Sequence, residues 1–404
     1  MHVVEKLQRI GSAMELEADG DITPAALEPR PRTSKSHAGD VMPCGQERNS
    51  VDQIKRKALG ITQAVMPGGK RINLLKTMMT TACERNCYYC SFRAGRNYRR
   101  VTFQPEEMAS SFLNMYRAGM VEGLFLSSGI IRGGITSQDK IIDTAEILRH
   151  KLGFQGYIHL KIMPGADNDQ IHRTMQLANR ASVNLEAPND QRLSKLAPKK
   201  VFLKELLEPI KKMDEIRKNE PAHSTWNGRW ASSSTQFVVG AAEESDVELL
   251  TTTAFLLKHY SLRRTYFMGF NPVFDTPLEN QPAENPWRQH RLYQASYLLR
   301  DYGFDLEEMP FNKAGRLPLA ADPKLAWAKA NLSEEPVEVN RANPEELQRV
   351  PGIGPQGVKA ILSARRAGTL RELTDLKAIG VNPGRPAPYV LLNGRRPTFQ
   401  LPLF

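Results

Sequence analysis

A loop early in the chain reads Cys83-Glu-Arg-Asn-Cys87-Tyr-Tyr-Cys90 and directly follows an apolar run at residues 72–79. The spacing, Cys-x3-Cys-x2-Cys, lets three thiolates converge from one short segment. A structural zinc site and a four-iron cluster each normally take four protein ligands. Three thiolates from a single loop therefore predict a metal centre with one position left open.

The alternative is a zinc knuckle whose fourth ligand comes from elsewhere, either Cys44 or a histidine. The chain has four cysteines, three of them within eight positions, which does not fit a disulfide framework. A thiolate-bound iron cluster suits a reducing compartment. The chain also lacks a secretory signal pattern and an apolar run of about 18 residues, so we expect a cytoplasmic protein.

An aromatic residue, Tyr89, stands just before the last cysteine. With it, the loop resembles the cluster loop of the radical S-adenosylmethionine (SAM) enzymes. The resemblance implies that Cys83, Cys87 and Cys90 hold a [4Fe-4S] cluster, that SAM binds the open iron, and that Tyr89 lies at the cofactor. Reduction of the cluster would then cleave SAM to a 5′-deoxyadenosyl radical.

From Ile72 onward, short β-rich runs alternate with amphipathic helical stretches. Strands that are each followed by a helix indicate a parallel sheet, because parallel neighbours need crossover connections. The pattern predicts an α/β fold, a (β/α)6 partial TIM barrel. Active sites of such barrels form where strands end, and the cysteine loop follows the first predicted strand. The predicted strands are Asn73–Met79, Gly123–Ser128, Tyr157–Met163, Ser182–Glu186, Thr235–Val239 and Thr265–Phe270, and the predicted helices are Pro105–Ala118, Ser137–Lys151, Asn168–Asn179, Phe202–Lys218 and Ser245–His259.

The composition along the chain predicts four segments, of which the barrel is the largest. A helix and, further on, a short helix are expected in the region between the barrel and the C-terminal domain. The segments are an N-terminal extension, partly irregular with a helix at Val3–Leu16 (1–70), the partial barrel (71–276), a cover and linker with helices at Trp287–Tyr302 and Pro323–Ala330 (277–335), and a small all-α domain (336–395).

Residues that end the later strands are candidates for holding SAM. Ser127-Ser128-Gly129 stands where many radical SAM enzymes carry a Gly-Gly-Glu type sequence, although an ordinary strand-to-loop turn explains it equally. Glu186 alternates with Leu185 on the predicted fourth strand, so it faces either SAM's ribose and the substrate or the solvent outside. Val238 and Gly240 lie in a stretch similar to the motif that presents backbone to the adenine.

Arginines accumulate around the cysteines, with five in sixteen residues against one acid, Glu84. Aromatic residues are interleaved with them, among them Tyr88 and Tyr98. Such a set is typical of a surface that holds a nucleic-acid backbone and stacks a base, and the alternative is a solvated loop. The arginines are Arg85, Arg93, Arg96, Arg99 and Arg100.

The C-terminal region carries a second pattern, centred on Pro351-Gly-Ile-Gly354. Asn343 caps a first helix with Pro344 at its first position, and the glycine-rich turn leads into a second helix. This resembles the helix-hairpin-helix of DNA-binding proteins, whose glycines and free helix-start N–H groups contact phosphate. The alternative is a helical module that packs on the barrel or binds protein. The DNA-contact candidates are Gly352, Ile353, Gly354, Lys359, Arg365 and Arg366, and residues 370–380 look like the second half of a paired hairpin unit.

Four stretches together resemble one family, the radical SAM proteins assigned to DNA modification and repair: the cysteine loop, residues 123–132, residues 157–166 and the hairpin. Members are associated with a partner of uracil-DNA-glycosylase type. The resemblance covers about residues 70–380 and implies a [4Fe-4S] cluster, SAM and action on DNA. Where the family has a cysteine ahead of the barrel, this chain has Cys44, which is either a hydrogen-atom donor or substrate-facing thiol, or a free loop cysteine.

The main hypothesis is therefore a radical SAM enzyme that modifies or repairs DNA, supplied by an external electron donor and not bound to a membrane. One alternative is a DNA-binding accessory protein whose iron–sulfur cluster is structural. Another is a radical SAM enzyme that acts on RNA. The formal net charge of +11 suits an anionic partner under any of the three.

Overall fold

The computed structural model describes residues 2–14, 56, 58–65 and 70–399. The described chain divides into two compact units. The first contains residues up to Glu244 together with Leu256–Pro286, and the second contains Ser245–Phe255 and the residues from Trp287 onward. The predicted segment boundaries are finer than this division and stay predictions. Cys44 lies outside the described residues.

The described part of the first unit contains a seven-stranded sheet whose strands follow one another in sequence order. The first two strands are antiparallel, and all later neighbours are parallel. The sheet is a curled half barrel, which confirms the predicted α/β class and the partial barrel. The strands are β1 Ile61–Val65, β2 Arg71–Met78, β3 Gly123–Ser127, β4 Tyr157–Lys161, β5 Arg180–Ser182, β6 Ser232–Val239 and β7 Arg264–Gly269.

Helices between the strands cover one face of this sheet. Alternate residues of the strands point toward them and are apolar, and Leu75, Leu124, Ile158 and Ala181 are completely buried there. Burial of each leucine or isoleucine contributes about 1.5–3 kcal/mol, so this face forms the core. The helices of this unit are α1 Val3–Met14, which precedes the sheet in sequence, α2 Pro105–Arg117, α3 Gly133–Glu146, α4 Asn168–Leu177, α5 Asp190–Leu196 and α6 Glu208–Asn219, of which α5 was not predicted. The next helix, α7 Asp246–His259, belongs to the second unit up to Phe255.

The fourth predicted strand is wrong in its position: β5 ends at Ser182, before Glu186. The hydroxyl of Thr235 intervenes between the chains, because its Oγ1 donates to the Val183 carbonyl (2.7 Å) and accepts the Leu185 N–H (3.1 Å). Glu186 then adopts a positive φ of 65°, a conformation that regular strands exclude. Because Glu186 lies beyond the end of β5, the alternation of a regular strand does not determine the direction of its side chain, which is buried.

Two further differences concern the ends of elements. β1 lies in the region predicted to be irregular. It pairs with β2 in the sheet, and Ile61 is its buried residue. Two of the predicted helices, Ser137–Lys151 and Phe202–Lys218, each contain a π-helical stretch, Ile147–Lys151 after α3 and Phe202–Leu207 before α6. No described helix is both long and apolar enough to cross a bilayer.

The second unit is a helical module with a small two-stranded parallel sheet. The sheet was not predicted, since the sequence indicated an all-α domain. Its core contains Leu347, Ile353, Val358, Ile361 and Leu376, which are buried. The elements are α8 Pro286–Asp301, α9 Pro323–Asn331, β8 Val337–Glu338, α10 Pro344–Arg349, α11 Pro355–Ala367, α12 Leu373–Ala378 and β9 Val390–Leu391.

Candidate functional site

The cysteine loop begins just after β2, at the C-terminal end of the strand where the sequence predicted it. Within the described residues none of the three cysteines forms a disulfide; Cys87 is buried, and Cys83 and Cys90 are half-buried. The Sγ atom of Cys83 accepts the N–H groups of Arg85 and Ile130, both at 3.4 Å. The Sγ atom of Cys90 accepts the N–H group of Phe92 at 3.4 Å. Backbone donors aimed at sulfur stabilise its thiolate form.

The loop is fixed to the end of β3 by backbone hydrogen bonds. The N–H group of Gly129 donates to the Thr80 carbonyl at 2.7 Å, and that of Glu84 donates to the Ile130 carbonyl at 2.8 Å. A Cβ atom on Gly129 would overlap the Ala82 carbonyl oxygen. The structure thus brings Ser127-Ser128-Gly129 to the cysteine loop, and the glycine is required by this close approach.

Arg100 clamps both ends of the cysteine loop. Its Nη1 atom donates to the carbonyl of Thr81 (2.6 Å), which precedes the cysteines, and to that of Phe92 (2.7 Å), which follows them. Its Nη2 atom donates to the carbonyls of Arg93 (2.7 Å) and Arg96 (3.3 Å). The guanidinium therefore shapes the loop. No motif identified this role, because its acceptors are backbone carbonyls.

Other arginines of this loop are likewise engaged inside the protein. Arg85 pairs with Glu205 at 2.6 Å, and Arg96 donates to the carbonyls of Phe274 (3.0 Å) and Ser91 (2.7 Å). The Arg93 guanidinium lies over the Tyr88 ring, 5.6 Å from its centroid. Arg99 is exposed. The predicted arginine-rich nucleic-acid surface is thus, for the most part, an internally bonded loop.

A buried ion pair joins Glu186 to Lys200, a residue that the sequence did not single out. The Nζ atom of Lys200 lies 2.9 Å from Oε1 of Glu186, and the two side chains are 8% and 4% exposed. The second carboxylate oxygen, Oε2, is buried and has no hydrogen-bond partner among the described residues. An unsatisfied buried acceptor is costly unless a ligand donates to it.

This pair lies beside the cysteine loop, as its electrostatics show. Burial raises the pKa of the Cys87 thiol, with Lys200 opposing that shift. Burial and then the charge of Glu186 raise the pKa of Tyr89 well above its usual value. Burial would lower the pKa of Lys200, but attraction to Cys87 and Glu186 outweighs it and raises that pKa. Tyr89, Glu186, Lys200 and Cys87 therefore form one buried charged cluster.

Val238 and Gly240 use their backbone groups within the protein. The N–H group of Val238 donates to the Glu186 carbonyl at 2.8 Å. The N–H group of Gly240 donates to Oε1 of Glu244 at 2.6 Å, and its carbonyl accepts the Gln281 amide at 2.9 Å. Gly240 has a φ of 97°, which explains the glycine. The predicted contact of these two residues with adenine stays a prediction.

Within the described ranges, no group of three or more His, Cys, Asp or Glu side chains surrounds a single metal-ion position. A cluster makes a different demand, because each cysteine binds its own iron and the sulfur atoms need not meet at one point. The donor set of three cysteines outside any described disulfide, with backbone N–H groups at two of the sulfur atoms, fits an iron–sulfur cluster.

The hairpin of the second unit has the predicted construction. The Asn343 side chain accepts the Glu346 N–H at 2.8 Å and caps α10. Gly352 is exposed with a φ of 85°. Gly354 is the N-cap residue of α11 and provides no side-chain cap. From within the same unit, Lys324 donates to the Ile353 carbonyl at 2.6 Å. The hydrogen bond from Lys324 thus fixes the hairpin, and the first N–H groups of α11, which have no side-chain cap, can donate to an external acceptor.

The three basic candidates of this hairpin differ. Lys359 and Arg366 are exposed. The Nη1 atom of Arg365 donates to the carbonyls of Val339 (3.1 Å) and Ala342 (2.8 Å). Arg365 therefore stabilises the module through hydrogen bonds from Nη1 to backbone carbonyls. Its proposed contact with phosphate stays a prediction.

A family model and solved structures are each similar to part of this chain. Residues 332–381 match the helix-hairpin-helix motif family. No curated protein matches the chain.

Solved structures with a similar arrangement include radical SAM enzymes. The chain is similar to the FeFe-hydrogenase maturase HydG from Carboxydothermus hydrogenoformans (14% identity, TM-score 0.45, 56% of this chain and 51% of that one). It is similar to methylornithine synthase (15%, 0.44, 56% and 62%) and to a radical SAM methyltransferase from Sphaerobacter thermophilus (16%, 0.38, 59% and 74%). The match spans about half the length of the maturase.

Proposed function

We propose that this chain is a radical SAM enzyme that acts on DNA. The observation that carries the proposal is the cysteine loop: three cysteines at the C-terminal end of β2 that form no disulfide within the described chain, with backbone N–H groups that donate to the Sγ atoms of Cys83 and Cys90. Three cysteines in one loop leave one iron of a [4Fe-4S] cluster for an external ligand. The buried Glu186 lies beside them with an oxygen to spare.

Cys83, Cys87 and Cys90 hold the cluster in this proposal, and SAM binds the remaining iron. When bound and reduced by an external electron donor, the cluster and SAM would supply a 5′-deoxyadenosyl radical. Glu186 Oε2 accepts a hydroxyl group of SAM's ribose or of the substrate, since burial without a donor costs about 1–3 kcal/mol. Ser127, Ser128 and Gly129 lie against the cysteine loop at the end of β3. Tyr89 is buried beside Glu186 and Cys87 and lies at the cofactor in this proposal.

Lys200 fixes the position of the Glu186 carboxylate. Its ammonium lies 2.9 Å from Oε1 and leaves Oε2 to accept a hydrogen bond from a ligand. The pair is therefore a positioning device for whatever binds at the cysteine loop.

The helix-hairpin-helix supports DNA as the substrate. Its exposed Gly352, Lys359 and Arg366 and the uncapped start of α11 suit phosphate contacts, which bind DNA without reading its sequence. The family resemblance further proposes a protein partner of uracil-DNA-glycosylase type. Modification or repair of a base or sugar is the reaction class we propose.

Anaerobic reconstitution with iron and sulfide tests the proposal. We expect the visible and electron paramagnetic resonance spectra of a [4Fe-4S] cluster and reductive formation of 5′-deoxyadenosine from SAM. Both should be lost in Cys87→Ala and kept in Lys211→Gln, an exposed change on α6. A fully loaded cluster that does not cleave SAM would exclude the radical SAM assignment and favour a structural cluster.

The polymer is tested by competition for binding among duplex DNA, single-stranded DNA and tRNA. We expect duplex DNA to compete best, with an affinity that falls steeply as salt rises. Preference for tRNA would replace DNA by RNA in the proposal.

A further inference from the structure

The face of the first unit's sheet that points away from the helices is polar and basic. The strand register aligns Lys76, Phe125, His159, Arg180 and Ser232 in one row across β2 to β6. Phe125, Arg180 and Ser232 are half-buried, whereas most of the residues next to them on the same strands are buried. In a half barrel with helices outside, this row lies on the concave face.

Several side chains of this row contact one another through neutral groups. Arg180 donates to the Tyr266 hydroxyl at 2.8 Å and to Oγ of Ser232 at 3.3 Å. The His159 ring lies edge-on to Phe125 with centroids 4.7 Å apart, and its Nε2 atom lies 2.9 Å from Oγ of Ser182. None of these partners carries a negative charge.

Lys161 adds a further cation two residues beyond His159 on β4. Its ammonium makes no hydrogen bond or ion pair with any residue that the structure describes. It is half-buried, so it is neither fully hydrated nor paired. A half-buried cation without a counter-charge favours binding of an anion.

The cations of this face lie close enough to repel one another. Burial first, and then the charges of Arg180, Lys161 and Lys76, lower the pKa of His159 well below its usual value. No carboxylate is among the groups that act on that imidazole. Positive charge on a concave wall of low dielectric focuses the field and attracts anions.

We propose that this concave face binds a phosphate group of the nucleic-acid substrate, with Lys161 and Arg180 as its principal donors. Arginine and lysine both donate to phosphate, and the Phe125 and Tyr266 rings beside them offer surfaces for an adjoining base. The inference deepens the proposed function and rests on it for the polymer. Binding at this face requires that a nucleotide flip out of the base stack and enter the barrel, as happens in many enzymes that act on bases.

Titration calorimetry with a 5′-phosphorylated thymidine dinucleotide tests the site in the full chain. We expect Lys161→Gln and Arg180→Gln each to weaken binding at least about tenfold, because each removes a charged hydrogen bond. Lys161→Arg should retain most of the affinity, since it keeps the charge. Lys211→Gln removes an exposed lysine of α6 and is the matched control, with unchanged affinity expected.

Three outcomes decide the inference. Wild-type affinity in folded Lys161→Gln and Arg180→Gln proteins would overturn the site. Equal affinity for inorganic pyrophosphate, lost in the same variants, would overturn the nucleic-acid source and assign a small phosphorylated substrate. Reductive SAM cleavage, measured separately on the wild type, tests the proposed function: loss of that activity with dinucleotide binding intact would remove the radical chemistry and keep the phosphate site.

Discussion

The ammonium of Lys200 lies 2.9 Å from Oε1 of Glu186, and both groups are buried beside the cysteine loop. The two residues are fourteen positions apart, on either side of α5. Glu186 reaches its place because its backbone takes a positive φ of 65° after β5. The ion pair therefore joins the end of the fourth parallel strand to the turn after α5, at a place beside the loop that follows the first parallel strand.

Replacing Lys200 by methionine leaves the Glu186 carboxylate buried without its partner. We expect the free energy of unfolding of the cluster-free protein to fall by about 3–5 kcal/mol, measured by urea denaturation at pH 7. The double variant Lys200→Met with Glu186→Leu buries no charge and should recover most of the loss. A double variant as unstable as the single one would contradict this account.

Removing the Arg100 clamp should loosen the cysteine loop. Arg100→Gln loses the donors to the Thr81 and Phe92 carbonyls, and charged hydrogen bonds each contribute about 1.5–3 kcal/mol. We expect alkylation of the buried Cys87 thiol in the cluster-free protein to accelerate at least about tenfold, followed by mass spectrometry. Arg99→Gln changes an exposed neighbour and should leave the rate unchanged.

Gly129→Ala tests the close approach between the end of β3 and the cysteine loop. The new Cβ atom would overlap the Ala82 carbonyl, so the backbones must separate, at a cost of about 1–3 kcal/mol in thermal or urea unfolding. Gly368→Ala, at an extended and open position, should change stability by less than about 0.5 kcal/mol. Equal behaviour of the two variants would show that Gly129 is not tightly packed.

Arg365 and Arg366 are adjacent but should respond differently to glutamine. Arg366→Gln removes an exposed charge, so we expect weaker duplex-DNA binding and a salt dependence reduced by about one unit of slope, with unchanged unfolding. Arg365→Gln removes donors to two carbonyls and should lower the unfolding free energy by about 1–3 kcal/mol. Fluorescence anisotropy and urea denaturation measure the two effects. The assignment fails if the two variants exchange these phenotypes.

Lys324 should make the stability of the second unit depend on pH. Burial lowers the pKa of its ammonium to about 7, whereas the unfolded chain titrates near about 10.4. Between these values the unfolded state binds more protons, so stability rises with pH, by up to about 1.4 kcal/mol per unit. It is lost again as the pH falls through 7.

Lys324→Met removes this titration and serves as the reference. We expect the difference in unfolding free energy between wild type and variant to change between pH 7 and pH 10 with the slope just given. A difference that stays constant over this range would show that Lys324 remains charged when buried.

The order of the elements followed from local patterns in the sequence. Alternating apolar runs and helical stretches placed five of the six parallel strands, and Asn343 with Pro344 located the start of α10. These signals lie within a few residues of what they specify. β1 escaped notice because its five residues carry no periodicity that distinguishes them from a loop, and α5 because it is only seven residues long.

The site was less accessible to such reasoning. Lys200 lies in a Pro-Lys-Lys turn without a motif, and it gains its role only because folding brings it to Glu186. Arg100 and Arg365 were both read as charges for a polyanion, yet each donates to backbone carbonyls. Sequence shows that an arginine is present but not which acceptors surround it.

The sequence alone determined the donor set of the cysteine loop, its place after the first parallel strand and the hairpin of the second unit, because each depends on neighbours along the chain. The tertiary structure decided which charges are buried together. It placed the Glu186–Lys200 pair beside Cys87 and gathered Lys161, Arg180 and His159 on one concave wall. Such placements depend on strand register and on residues distant in sequence, and the electrostatic field that they create exists only once the chain has folded.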